Sequence, residues 1–200
     1  MQVFLVHGMG RTPRSLALLA WRLGRAGMQV SSFGYRVREH DLASIAARFV
    51  AHVEERAAGP YAVIGHSLGN VVARLASPDL PPGLARLVML APPNRTSRVA
   101  TLLRDSVVFR ALTRDAGQRL GDAAFYDALP IPEVPTTVFA GTAGPRAAWL
   151  PLGGEISDGL VALEETRLPG AEHRAVAALH TFIMNDAEVT TAIVELLTAR

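Results

Sequence analysis

Residues 3–6 (Val, Phe, Leu, Val) are apolar at every position and run straight into His7 and Gly8. A strand with no polar side has no face to give to water, so it belongs inside a parallel sheet covered on both faces. A helix must then carry the chain back. Thr12 and Pro13 supply a cap and a first-turn proline, and Leu16, Leu19, Ala20, Leu23 and Ala26 repeat at helical spacing until Gly27. The unit recurs. A strand over 28–35 precedes a helix capped by Asp41 with the stripe Leu42, Ile45, Phe49 and Val53, which Gly59 and Pro60 break. A strand over 61–64, a helix over 67–77 and a strand over 87–90 follow. This alternation predicts an α/β domain: a mostly parallel sheet of about six strands with right-handed crossovers and helices on both faces.

From 92 to 130 the alternation lapses into an Arg-rich helical excursion holding Val107, Val108, Phe109 and Leu112, read over about 95–130 as a cap-like insertion in one domain spanning 1–200. Its Arg98, Arg104, Arg110, Arg114 and Arg119 have two readings. They are a solvated helix face paired with Asp105 and Asp115, or they draw an anionic head group or lipid surface. The core order resumes with a strand at 137–139, a polar loop over 154–158, a last strand over 174–178 and a closing helix over 187–198.

Composition excludes several functions. With 200 residues, half of them hydrophobic, the chain is one ordinary globular domain able to bury about 70% of its unfolded surface. The absence of Cys removes disulfides, thiolate metal sites and cysteine nucleophiles. The net charge is only +2, all 20 positive residues are Arg, and no basic run or finger appears, so no nucleic-acid partner is expected. The chain opens directly on a strand without leader features, and no apolar run reaches the roughly 18 residues of a membrane span. The expectation is a soluble, cytoplasmic protein; oligomeric state is not legible.

Gly65-His66-Ser67-Leu68-Gly69 lies where a buried strand meets a helix, the context that gives G-x-S-x-G its meaning. A sharp strand-to-helix turn strains the central residue and leaves no room for side chains beside it, which the two glycines satisfy. Ser67 would stand above the carboxyl ends of the strands, where open α/β sheets take ligands. The bland alternative is a Ser67 that only caps its helix.

A serine hydroxyl needs a base, a carboxylate to hold the base, and donors for an oxyanion. His7-Gly8-Met9-Gly10 follows the first strand at the same sheet edge, so the Met9 amide is one donor, and the Leu68 amide at a helix N-terminus is the other. A phosphate loop is the rival reading of these glycines, but Pro13 holds the place of the third glycine and no G-K-[ST] follows. Carboxylate and histidine come after the serine in chain order. Asp158, in Ser157-Asp158-Gly159-Leu160-Val161, is the carboxylate, with Glu155 and Asp127 as fallbacks, Asp122 more distant, and an Asx-turn as its bland role. Of the two later histidines, His180 enters the final helix and fits the base better than His173. His7 would orient loop backbone, His66 would pack beside the turn, and His40 and His52 read as surface residues.

The motifs Val6-His7-Gly8-Met9-Gly10, Gly65-His66-Ser67-Leu68-Gly69, Ala91-Pro92-Pro93-Asn94 and Ser157-Asp158-Gly159-Leu160-Val161, with His180 ahead of the last helix, resemble the α/β-hydrolase superfamily, and within it the small single-domain serine lipases and esterases. The likeness covers nearly the whole chain, without the first two antiparallel strands of larger members. It implies Ser67 as nucleophile, Asp158 as acid, His180 as base and Met9 at the oxyanion position. The expected activity is cleavage of a small acyl ester or lipid through an acyl-enzyme, with no metal or organic cofactor. An acyltransferase or thioesterase using the same serine, and a non-catalytic binding protein on this fold, are the other classes.

Overall fold

The computed structural model describes residues 1–199. Six strands form one sheet in the order β2-β1-β3-β4-β5-β6. They are β1 (Gln2–Val6), β2 (Gln29–Phe33), β3 (Tyr61–His66), β4 (Leu84–Leu90), β5 (Thr136–Gly141) and β6 (Glu172–Val176). All five pairings are parallel, so the expected α/β architecture is the one observed. The last strand begins and ends earlier than the sequence pattern indicated.

The apolar runs face both ways. Phe4, Val6, Tyr61, Val63, Leu87 and Met89 pack into one core with α2 (Leu42–Glu54) and α3 (Leu68–Ala76). Val3, Leu5, Ala62, Ile64, Val88 and Leu90 pack into the other with α1 (Ala17–Arg25) and α7 (Ala187–Thr198). Successive strand residues point to opposite faces, so a strand between two helix layers needs every position apolar.

Asp41 Oδ1 accepts from the Ser44 amide at the start of α2, and Asp186 Oδ1 from the Val189 amide at the start of α7. Thr12 does not act as expected. Pro13–Leu16 forms a 3-10 turn, the Thr12 side chain caps nothing, and its carbonyl instead accepts from the Ser15 amide and hydroxyl.

Between β4 and β5 the excursion holds α4 (Arg98–Leu103), α5 (Val107–Leu120) and α6 (Ala123–Asp127). α5 is broken in its middle: Arg114 has φ 47° and ψ −132°, a conformation that disfavours any side chain. No helix of the described residues is long and apolar enough to cross a membrane.

One buried cation ties this excursion to the core. Arg74 of α3 donates from Nε to the Pro130 carbonyl and from Nη2 to the Leu129 carbonyl, both at 2.9 Å, and from Nη1 to Asn94. Asn94, just beyond β4, donates to the Thr166 carbonyl at 2.9 Å. Burial pushes the Arg74 guanidinium down to about 10, still charged at neutral pH. Arg74→Leu strands these carbonyls without donors, and the expected loss is about 3 kcal/mol, measured by urea denaturation. An unchanged midpoint would refute that role.

Candidate active site

The turn from β3 into α3 is dictated by sterics. A Cβ on Gly69 would run into the carbonyl oxygens of Val6 and His7, and one on Gly65 into Asn70. With α3 pressed this close to the end of β1, Ser67 is forced to φ 52° and ψ −122°. Its amide donates to the Leu90 carbonyl at 2.9 Å, and Asn70 Nδ2 donates to the Ser67 carbonyl at 3.1 Å. The Ser67 side chain makes no capping bond, so the bland reading of this serine as a helix cap does not describe it.

The hydroxyl is engaged elsewhere. Ser67 Oγ lies 2.9 Å from His180 Nε2, and His180 Nδ1 lies 2.7 Å from Asp158 Oδ2. A buried carboxylate with an imidazole partner accepts, so Nδ1 carries the proton and Nε2 is left to accept from the serine. Asp158 is fixed by its own turn, with Oδ1 accepting from the Leu160 amide at 2.9 Å and the Val161 amide at 2.7 Å. The Asx-turn and the imidazole contact thus use different oxygens of one carboxylate. The His180 amide also donates to the Asp158 carbonyl at 3.0 Å. Gly141, at the end of β5, makes room for both loops: a Cβ there would lie 2.7 Å from Asp158 Cβ and 2.5 Å from the Ala178 oxygen. Sequence reading missed Gly141, because nothing local marks a glycine whose neighbours come from distant loops.

The fallback residues lie elsewhere. Glu155 pairs with Arg98, Asp122 caps α6, and Asp127 is exposed at its end. His173 sits in β6 with its Nε2 2.7 Å from Thr166 Oγ1. His7 does orient loop backbone: Nδ1 donates to the Gly8 carbonyl at 2.9 Å, and Nε2 accepts from the Tyr35 amide at 3.2 Å. His52 corrects an expectation. It is half-buried against the rings of Phe4 and Phe33, 2.9 Å from Ser31 Oγ, because α2 packs on β1 and β2. His40 precedes α2 and is partly exposed.

His66 has a larger part than packing. Its Nε2 donates to the His180 carbonyl at 3.0 Å, its ring centroid is 5.1 Å from that of His180, and its buried Nδ1 has no partner among the described residues. Burial first, then the neighbouring His180, push its pKa down to about 3.

A Cβ on Gly8 would stand 3.1 Å from Ser67 Cβ, so the Gly8–Met9 backbone passes beside the hydroxyl. Among the described residues neither the Met9 nor the Leu68 amide donates to a protein acceptor. Met9, Tyr35, Val37, Leu112 and Thr113 line a cleft of about 810 Å³. No cluster of three or more His, Asp or Glu suited to a metal occurs among the described residues.

No protein-family model matches the chain, and no curated protein matches it in sequence. Solved structures do match in fold. The mature lipase BlEst2 of Bacillus licheniformis superposes with a TM-score of 0.78 at 18% identity, covering 98% of this chain and 91% of that one. The metagenomic carboxyl esterase MGS0156 gives 0.76 at 19% identity, covering 98% and 76%. The monoacylglycerol lipase of Paleococcus ferrophilus gives 0.67 at 18% identity, covering 98% and 93%. The fold is that of the α/β-hydrolases.

Two outcomes follow for stability. Glycine relieves a positive φ, so Ser67→Gly is expected to exceed Ser67→Ala by about 1 kcal/mol; equal urea midpoints would mean the turn carries no strain. His66 is neutral in the fold at pH values where the unfolded side chain, with its ordinary pKa of 6.5, is charged. Its contribution is complete above that value and is lost as pH falls toward 3. The stability margin of wild type over His66→Gln should therefore shrink between about pH 7 and about pH 4. A margin independent of pH would exclude this linkage. His7, His52 and His173, lowered chiefly by burial, are common to both proteins and cancel.

Proposed function

We propose that this α/β-hydrolase fold carries a serine hydrolase that cleaves carboxylic esters, with Ser67 as nucleophile, His180 as base and Asp158 as the acid that holds the base. The observation that carries the reading is the continuous hydrogen-bond path from Ser67 Oγ through His180 to Asp158. Structural neighbours that are lipases and esterases lend it further support.

In this reading His180 Nε2 takes the hydroxyl proton as Ser67 Oγ attacks the ester carbonyl, and the imidazolium formed is stabilised by the Asp158 carboxylate. The carbonyl oxygen becomes an oxyanion held by the amides of Met9 and Leu68, the latter at the positive end of α3. Collapse of this intermediate breaks the bond to the alcohol, which leaves with the proton from Nε2. Water then attacks the acyl-serine, giving its proton to His180, and release of the acid returns that proton to Ser67. Every group involved belongs to the chain, the ester or water. α4 to α6 act as a short cap, since Leu112 and Thr113 of α5 form part of the cleft wall.

A fluorophosphonate should label Ser67 alone, found by peptide mass spectrometry. Ser67→Ala and His180→Ala are each expected to lower kcat/KM for p-nitrophenyl butyrate by about 10⁴-fold or more, and Asp158→Asn by a comparable factor through the wrong imidazole tautomer. Full activity in any of these variants would remove that residue from the mechanism.

A further inference from the structure

A second cavity of about 650 Å³ lies beyond the cleft, and the two share Arg38. Arg110 and Arg114 of α5 complete its charged wall. Among the described residues none of these three guanidinium groups has an ion pair or a hydrogen bond, whereas Arg98 and Arg119 of the same excursion are engaged by Glu155, Glu165 and Asp115. Among the described residues no acid is paired with the cluster. Asp115, next to Arg114, is turned to the Leu42 amide and to Arg119, and Glu39 at the cleft is taken by Arg36. Three exposed cations lining one cavity repel each other. Arg114 is also the residue at the break in α5, so the chain accepts both strain and repulsion there.

An anion removes the repulsion, and guanidinium forks match a phosphate or carboxylate well. The adjoining cleft has Arg11, Arg36 and Glu39 on its wall together with Met9, Tyr35, Val37 and Leu112, and these last four offer an apolar stretch to an apolar chain. We infer that Arg38, Arg110 and Arg114 form a subsite for the anionic group of an amphiphile whose apolar part lies in the cleft beside Met9. This rests on the serine-hydrolase reading only in making that amphiphile the ester substrate; the anion site itself stands without it.

The probe is dodecyl phosphate below its micelle concentration, titrated calorimetrically into Ser67→Ala protein, with dodecanol as the neutral comparison. Dodecyl phosphate is expected to bind the tighter of the two. The triple variant Arg38→Gln/Arg110→Gln/Arg114→Gln should weaken its binding at least about tenfold, and added salt should weaken it too. Arg48→Gln, an exposed arginine of α2, is the control. In wild type the same compound should inhibit p-nitrophenyl butyrate cleavage competitively, through the shared cleft. Phosphatidylglycerol vesicles form a separate arm: arginine-dependent binding to vesicles alone assigns the anion to a lipid surface, and binding of the soluble phosphate assigns it to a free amphiphile. Equal affinity for dodecanol, or affinity unchanged in the triple variant, overturns the subsite. If wild type cleaves no ester, the serine reading fails while the calorimetric comparison still decides the anion site. The variant's thermal unfolding, expected to stay cooperative because these exposed side chains make no ion pair or hydrogen bond among the described residues, separates loss of binding from loss of structure; Arg110→Glu alone, which should weaken binding more than Arg110→Gln, is the second check.

Discussion

The contact between the start of α3 and the end of β1 is the constraint on which the site depends. No side chain fits at Gly69 against the Val6 and His7 carbonyls, and the helix can come this close only if the chain turns sharply at Ser67. A positive φ on a serine costs on the order of 1–3 kcal/mol, offset by the bonds through Leu90 and Asn70 and by α3 packed into the core. Three consequences follow from one steric fact. The hydroxyl is not used as a cap, the Leu68 amide faces no protein acceptor among the described residues, and Gly8 and Met9 pass beside the serine, β1 and β3 being adjacent in the sheet.

The other half of the site is assembled separately. Asp158 and His180 come from the loops after β5 and β6 and are joined twice, by side chain and by backbone. The pair's mutual geometry is therefore fixed by contacts that do not involve the serine. It reaches the β3 turn through the Ser67 hydroxyl and through the bond from His66 to the His180 carbonyl. A neutral His66 makes that second tie from Nε2 while placing no like charge 5.1 Å from the His180 ring. Burial supplies the neutrality.

Much of this was legible in the chain. The strands announced themselves because burial on both faces leaves no polar position, and the serine turn because its glycines are local. Asp158 and His180 carried weaker signals: each sits in a loop of polar and small residues, and only their order after Ser67 and the helix start beyond His180 distinguished them. What could not be read depends on partners far along the chain. Arg74 and Asn94 look like surface polar residues until their carbonyl acceptors at Leu129, Pro130 and Thr166 are in place. His52 was misread because its helix stripe did not show that β1 and β2 would cover it, and Arg114 because no residue type marks a helix break without glycine or proline.

The arginines show how one residue type divides between fold and site. Arg74 meets carbonyls with all its reachable donors and is part of the core. Arg98 joins α4 to Glu165 and to Glu155, in the loop that leads to Asp158, so the excursion is fastened at this end to the segment carrying the carboxylate. Among the described residues Arg38, Arg110 and Arg114 make no ion pair or side-chain hydrogen bond, and they gather where α5 lines the cleft. A guanidinium without a protein acceptor contributes little to folding and remains available to a ligand. The helices between β4 and β5 are accordingly frame at α4 and wall at α5, and the strained residue stands in the wall.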